Sequence, residues 1–544
     1  MPAISSYRSF WAALGAALIL AVIARAFLLI SGTVSFHSDE AIVGLMARHI
    51  LAGERPTFFF GQAYMGSLDA WLVAVGFQVL GESVQTIRIV QSTLYLFVVA
   101  SAYYAAWVLS HRITVALVTA LTFAIASPLL ALYTTATLGG YNETLIFGHL
   151  LVALGFGARA GNKPVDLWRW GAVGLITGVG WWANALIVVY ALPVGIYLLW
   201  RLWKTDVAAH RFTSRIIPIL VGLAGFMIGS APWWIYALQN DFTPIRFFLP
   251  DVFGGREIVG AVIPTVSLET RLVGLFLFGL PAIIGARFPW AGDYFAPLAG
   301  LVVAAIFLFA LAHLARQVRA NSLLRPGAAA LLWGIILVMC ALFLLTRFAS
   351  DPSGRYFLPL TLPLGIALAT LAASMPRKLI GIGFVAVPLL YFAAGQVIAA
   401  SAPPGFTTQF VAQTHLPNTD DARLMTWLED HHIETGYTTY WLSFRLAFLS
   451  GERIRFSAAL PDKSSLDYTP AFERYPPYRE ATDQAEQIAY LVPSINIPEL
   501  DAALIGWFGD QGVTFQMAQL GDYRLYYDFE PFIPRPPLPF IHGM

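Results

Sequence analysis

The stretch Phe36-His37-Ser38-Asp39-Glu40 follows directly on the first long apolar run, residues 10–30, and opens a connection that reaches residue 87. Simple connections take about 4–6 residues, so this loop is a structure in its own right. Ser38 is placed to cap a helix over 39–52, where Ile42, Leu45, Met46, His49 and Ile50 recur at near-helical spacing. Gly53-Glu54-Arg55-Pro56 ends that helix. The aromatic strip Phe58-Phe59-Phe60 and the segment Gly61-Gln62-Ala63-Tyr64-Met65-Gly66 follow, then a second apolar helix over 68–80. The pattern is that of two short amphipathic helices on a membrane surface. Successive side chains on a helix diverge by about 100°, so one of Asp39 and Glu40 can face the bundle while the other caps the helix or meets the loop. Two readings stand: an acidic pair favoured by the helix N-terminus, or a carboxylate that activates a hydroxyl or amine or binds a metal.

The composition around this loop decides its setting. The chain has 544 residues, of which 58% are hydrophobic and 12% charged. A soluble domain carries about 25% charged residues, so a soluble enzyme and a disordered chain are both excluded. The net charge of +1 gives no basic field for nucleic acid, and the single cysteine, Cys340, excludes a disulfide framework and a cysteine zinc site. Apolar runs of about 20 residues predict some eleven spans: 10–30, 88–109, 113–133, 143–159, 169–184, 185–203, 216–237, 295–315, 326–346, 356–375 and 379–399. The shorter run 271–286, broken by Gly279 and Pro281, is read as lying on or dipping into the membrane. Arg25 and the lack of a small-residue cleavage pattern keep the first span as an anchor.

Residues 1–399 hold 14 acids and 24 bases, residues 400–544 hold 18 and 9. That shift, punctuated by Pro403-Pro404-Gly405, predicts two domains: a membrane domain over 1–399 and an α/β domain over 400–544. Lys and Arg collect in cytoplasmic loops. With the N-terminus inside, the inner connections hold only Asp166 and Asp206 as acids, while twelve of the fourteen lie outside. The expected location is the plasma membrane, multi-pass, with an extracytoplasmic C-terminal domain. In that domain 420–432, 443–449 and 497–509 read as helices; 436–441, 454–456, 488–492 and 523–529 read as strands; and 531–539 reads as an extended Pro-rich tail.

The stretch Phe36–Leu72 with Asp39-Glu40 just after the first span, Arg88 opening the second, the acidic second outer loop, and Arg355-Tyr356-Phe357-Leu358-Pro359 opening a late span together resemble the polytopic glycosyltransferases of the GT-C type, specifically the protein mannosyltransferase and aminoarabinose transferase (PMT/ArnT-like) superfamily. The resemblance covers most of residues 1–399. It implies the GT-C fold, inverting transfer on the extracytoplasmic side, a polyprenyl-phosphate-linked sugar as donor, and a lipid, glycan or protein as acceptor. Two departures stand out. The aminoarabinose transferases carry Lys-Pro-Pro where this chain has Met65-Gly66-Ser67-Leu68, so a lysine contact to the lipid phosphate is missing. The family's second acidic residue has no Asp counterpart; Gly139-Gly140-Tyr141-Asn142-Glu143 occupies its place, with Glu143 as the substitute.

The resemblance names Asp39 as base or acceptor-positioning carboxylate, with Glu40 and Glu143 beside it. A phosphate leaving group needs cations, and arginine's forked donors suit it. Arg355 with Tyr356 comes first, then Arg88, Arg271 and Arg347, and Arg256 lies in the same outer loops; snorkelling at the interface is the plainer account of each. His37, Gln62, Tyr64 and Asn142 are candidates for substrate contacts. A divalent metal shared by Asp39 and Glu143 is left open, with no other cofactor implied. Trp181, Trp182, Trp233 and Trp234 read as an aromatic belt. The competing functions are a transporter or flippase, and a non-catalytic envelope subunit.

Overall fold

The structure is a computed structural model that describes residues 4–157, 166–204, 212–248 and 267–531. Seven of its helices are long and apolar enough to cross a membrane, or eight if the bent pair Arg215–Gly229 and Ala231–Gln239 is one span. The remaining predicted spans are also helical but shorter. Run 113–133 is split into α5 (Ile113–Ala124) and α6 (Pro128–Tyr133), and runs 143–159 and 169–184 form α7 (Tyr141–Gly157) and α8 (Leu167–Ala183). Ser127 caps α6, accepting from the Leu130 amide, and Pro128 sits in its first turn; that start signal breaks the span. The first span is α1 (Ile4–Ser31), and the second is α4 (Val84–Ser110), which starts with the Ser83 hydroxyl accepting from the Thr86 amide at 3.0 Å. The spans continue with α9 (Val188–Lys204), Pro297–Ala320, Ala328–Leu345, Thr361–Ser374 and Lys378–Ser401. The 271–286 run becomes the helical stretch Leu268–Val273, Gly274–Gly279 and Leu280–Ile283.

The loop after α1 contains α2 (Ser38–Leu51), the hairpin β1 (Phe58–Phe59) and β2 (Gln62–Gly66), and α3 (Leu68–Leu80). Helix α2 starts one residue earlier than predicted, with His37 as N-cap. The Ser38 hydroxyl does not cap it; it donates to the Tyr440 carbonyl at 2.5 Å, because the C-terminal domain sits directly on this helix end. Nor does α2 float as a surface helix: Ala41, Ile42, Leu45 and Met46 are buried in a cluster with Phe444, Ala447 and Phe448. Helix α3 does keep an exposed apolar face, at Val75, Val79 and Leu80.

The C-terminal domain is a five-stranded sheet in the order β4-β3-β5-β7-β6, formed by β3 (Thr435–Thr439), β4 (Arg455–Leu460), β5 (Ala489–Val492), β6 (Thr514–Leu520) and β7 (Tyr523–Glu530). Strand β3 runs parallel to β4 and β5, and β7 antiparallel to β5 and β6. Helices Asp421–Asp430, Tyr440–Leu449 and Pro498–Asp510 fall where sequence patterning puts them. Strand β6 and helix Pro476–Gln484 were not expected. Strand β6 is an edge strand, exposed or half-exposed at all but its last residue, so it lacks the alternation that marks a strand. The predicted tail over 531–539 lies outside the described residues except for Pro531. A parallel bridge between Val34 and Phe406 joins the exit of α1 to the entry of this domain. The expected fold class, a polytopic helical membrane protein with a C-terminal α/β domain, is borne out.

Candidate active site

A cavity of about 390 Å³ opens where the first loop, the C-terminal domain and the span ends meet. Its polar lining comes from Asp39, Gln62, Tyr64, Arg355, Tyr356 and Arg474. Val188 and Val189 of α9 and Met339, Leu342 and Phe343 of Ala328–Leu345 add an apolar lining. Its volume lies in the range of small-molecule sites, about 300–1,000 Å³.

Helical divergence sends the two adjacent acids apart. Asp39 faces the cavity, where its Oδ1 accepts from the Tyr440 hydroxyl and pairs with Arg474 Nη1 at 3.2 Å. Glu40, fully buried, faces α4 and takes both arms of Arg88, Nε and Nη2, each at 3.1 Å. Arg88 is thereby committed to a carboxylate and does not line the cavity. Burial alone would raise the Asp39 pKa, but Arg474, with His37, the Tyr440 hydroxyl and Arg355, outweighs it and holds the carboxyl below its ordinary value. Asp39 is therefore an anion at neutral pH, while burial keeps Tyr440 protonated as its donor.

Arg355 reaches the cavity from the turn before Thr361–Ser374 and pairs through Nε with Asp351 at 2.7 Å; its Nη2 donates to the Tyr356 hydroxyl at 3.3 Å. The turn is positioned by Gly354, whose φ of +84° suits glycine and whose Cβ would stand 2.8 Å from the Ala282 methyl. Gln62 and Tyr64 line the cavity from β2. In the orientation its neighbours require, the Gln62 amide oxygen accepts from Arg474 Nη2 and Nη1 at 3.0 and 3.2 Å, and its nitrogen donates to the Tyr64 hydroxyl.

The other sequence candidates sit outside this lining. His37 meets the Thr408 hydroxyl through Nε2 at 2.8 Å, and burial lowers its pKa. Arg271 donates through Nη1 to the carbonyls of Leu344 and Thr346, both at 2.8 Å, at the end of Ala328–Leu345. Asn142 and Glu143 belong to a buried network beside the cavity: Asn142 Nδ2 donates to Gln91 Oε1 at 2.8 Å, Gln91 Nε2 to Asp69 Oδ1 at 2.6 Å, Thr137 to Asp69, and Glu143 faces Asp69. The Arg347 side chain and Arg256 lie outside the described residues. Of the four tryptophans, Trp181 lines the cavity, Trp182 donates to the Thr57 carbonyl at 2.9 Å, and Trp233 is buried.

Asp39 and Glu143 have different neighbours. Asp39 faces guanidinium groups, Glu143 faces Asp69, and among the described residues no group of three or more His, Cys, Asp and Glu could hold an ion. The contributions missed by sequence reading are those of the C-terminal domain: Tyr440, Trp441, Phe472 and Arg474. The sole local signal is a base set among aromatics, Phe472-Glu473-Arg474-Tyr475, in an acidic domain.

No protein-family model and no curated protein matches the sequence. Solved structures do match in shape. The crystal structure of ArnT from Cupriavidus metallidurans bound to undecaprenyl phosphate superposes with a TM-score of 0.61, covering 97% of this chain and 99% of that one at 14% identity. The fold is that of ArnT. The apo form of the same protein gives a TM-score of 0.57 over 95% of this chain and 98% of that one, also at 14% identity. The oligosaccharyltransferase of Archaeoglobus fulgidus aligns more loosely, with a TM-score of 0.46 over 88% of this chain and 67% of that one. The ArnT-like fold, a GT-C architecture, thus extends over both the spans and the sheet domain, further than the sequence resemblance alone.

Proposed function

We propose that the protein is an integral-membrane, inverting glycosyltransferase that moves a sugar from a polyprenyl-phosphate donor to an acceptor on the extracytoplasmic side. The observation that carries this reading is the mixed lining of the cavity: charged side chains from the loop and the C-terminal domain, and apolar ones from two spans. A lipid-linked phosphate has the same division. The isoprenoid tail lies against the apolar side chains of α9 and Ala328–Leu345, the phosphate meets Arg355 and Tyr356, and the sugar lies against Gln62 and Tyr64. That the ArnT structure of matching fold holds undecaprenyl phosphate supports this donor class.

The acceptor hydroxyl or amine attacks the anomeric carbon from the face opposite the phosphate. Its new bond forms as the carbon–oxygen bond to phosphate breaks, and the electron pair leaves on the phosphate oxygen. The acceptor proton passes to Asp39, whose carboxylate is ionised and so can receive it. The test is transfer from polyprenyl-phosphate sugars by the purified protein in detergent. Asp39→Ala is expected to lower kcat by about 10²–10⁴-fold; unchanged turnover removes Asp39 from the reaction. Mass spectrometry of co-purified lipid identifies the donor, and a lipid without phosphate overturns the donor class.

A further inference from the structure

Arg474 is built into the cavity from the C-terminal domain with care that a surface pair would not need. Its side chain is 9% exposed and lies over the rings of Tyr440 at 4.7 Å and Phe59 at 5.5 Å. The Gln62 amide oxygen holds its Nη atoms. At Gly61, φ is +69° and a Cβ would stand 2.9 Å from the Arg474 Cα, so the hairpin turn clears room for the arginine's backbone. Its Nε is buried and has no hydrogen-bond partner among the described residues. The guanidinium thus lines the cavity with one donor unpaired, beside a carboxylate it already neutralises.

Two arginines line the cavity, and each has an acid: Arg355 has Asp351 and Arg474 has Asp39. The acids differ in where they stand. Asp351 is four residues from Arg355 in the same turn, whereas Asp39 is on another element and is the proposed proton acceptor. A phosphate entering the cavity competes for both guanidiniums, and forked donors favour it.

We propose that Arg474 is a second phosphate-binding residue, lent by the C-terminal domain in place of the missing loop lysine, and that it exchanges Asp39 for the donor phosphate when the donor binds. Asp39 is then released toward the acceptor only with a donor in place. The groups left facing Asp39 are His37, Tyr440, Arg355 and Tyr64. Loss of the cation raises its proton affinity, so the base strengthens when it is needed. This inference rests on the donor class proposed above.

The test measures binding of undecaprenyl phosphate and of undecaprenol, its uncharged counterpart, to the full-length protein in detergent. Four forms are compared: wild type, Arg474→Ala, Asp39→Asn and the double variant. Arg474→Ala is expected to weaken the phosphate by about 10-fold or more and leave the alcohol unchanged. Asp39→Asn is expected to tighten the phosphate about 5-fold or more, by freeing Arg474, and the gain is expected to vanish in the Arg474→Ala background. A gain of equal size in both backgrounds means that Asp39 repels the phosphate through its own field and overturns the exchange. No gain in either overturns it too. Equal affinity of the wild type for phosphate and alcohol overturns instead the donor class on which it rests. If Arg474→Ala is not monodisperse, Arg474→Gln keeps the bulk over Tyr440 and answers the same question.

Discussion

At the scale of the residue, the site turns on how a single turn of α2 separates two carboxylates. Asp39 is held by Arg474 and Tyr440, whereas Glu40 is spent on Arg88. The two should fail differently. Glu40→Ala leaves a largely buried guanidinium unpaired, which costs about 3–5 kcal/mol, so its mark is a lowered Tm. For Asp39 the folded pKa is depressed, so its stabilising contribution is present above the unfolded value, about 3.9, and is lost as pH falls through the folded one. The acid limb due to Asp39 in the kcat/KM profile, which reports the donor-free enzyme, is therefore expected below about pH 4. Tyr440→Phe removes a hydrogen bond to the charged form; it should move that limb upward and lower kcat by about 3–10-fold, read from profiles of the two proteins. Asp39 was legible because an acid just after a span is conspicuous in a chain so poor in charge. Arg474 was not, since nothing in its own stretch tells which distant carboxylate it meets.

At the scale of the element, the hairpin β1–β2 and the joint between α2 and the C-terminal domain do the positioning. Gly61→Val places a Cβ against the Arg474 backbone and forces a left-handed φ on a β-branched residue. The expected result is at least about 10-fold weaker binding of a polyprenyl phosphate with the helical circular dichroism unchanged. Beside its apolar cluster the joint carries a polar group: His49 Nε2 meets Glu452 at 3.0 Å, and Tyr478 donates to the same carboxylate at 2.6 Å. Burial alone would raise the Glu452 pKa, but the hydrogen bonds from His49 and Tyr478 hold it down to about 2; the hydrogen bond to Glu452 raises His49. The His49 contribution is full below its unfolded pKa, about 6.5, and is lost as pH rises through the folded value. The Glu452 contribution is present above about 4.3 and lost toward pH 2. Glu452→Gln should thus lower Tm most between about pH 4.3 and 6.5, with the gap to wild type narrowing at alkaline pH. Of these elements the helices were legible from periodicity. The hairpin was not, because Phe58-Phe59-Phe60 is apolar without alternation, and the edge strand β6 buries too little to show a pattern.

At the scale of the whole molecule, the ArnT-like fold brings a membrane bundle and a sheet domain to one cavity, and neither supplies the site alone. Apolar runs located the helices but not the number that cross, since seven or eight rather than eleven are long enough by themselves. The contact between bundle and sheet domain could not be read, because the pairs Asp39–Arg474 and Glu40–Arg88 look alike in sequence as lone charges. The charge rule predicts an extracytoplasmic cavity, and fusions test it. Alkaline phosphatase fused after Met544 is expected to be active and fused after Lys204 inactive; the reverse pattern would put the cavity on the cytoplasmic side and remove the extracytoplasmic acceptor.

Arg25 in α1 carries a consequence for how the molecule is made. Its guanidinium, 4% exposed, lies over the Tyr95 ring at 3.5 Å and donates to the Ala131 carbonyl at 3.0 Å, to the Thr134 hydroxyl at 2.6 Å and to Thr135. Those α6 acceptors come more than 100 residues later in the chain. During synthesis at about 5–20 residues per second, α1 waits roughly 5–20 s for them. Over that interval it carries a charge without these acceptors, at a cost below the about 2.5–3.5 kcal/mol of a helix centre because Arg25 lies toward the C-terminal end of the span. Arg25→Leu should therefore enter the membrane more readily as a nascent helix and yield a less heat-resistant finished protein. The break after α5 thus places acceptors from Ala131 to Thr135 where they hold the helix made first.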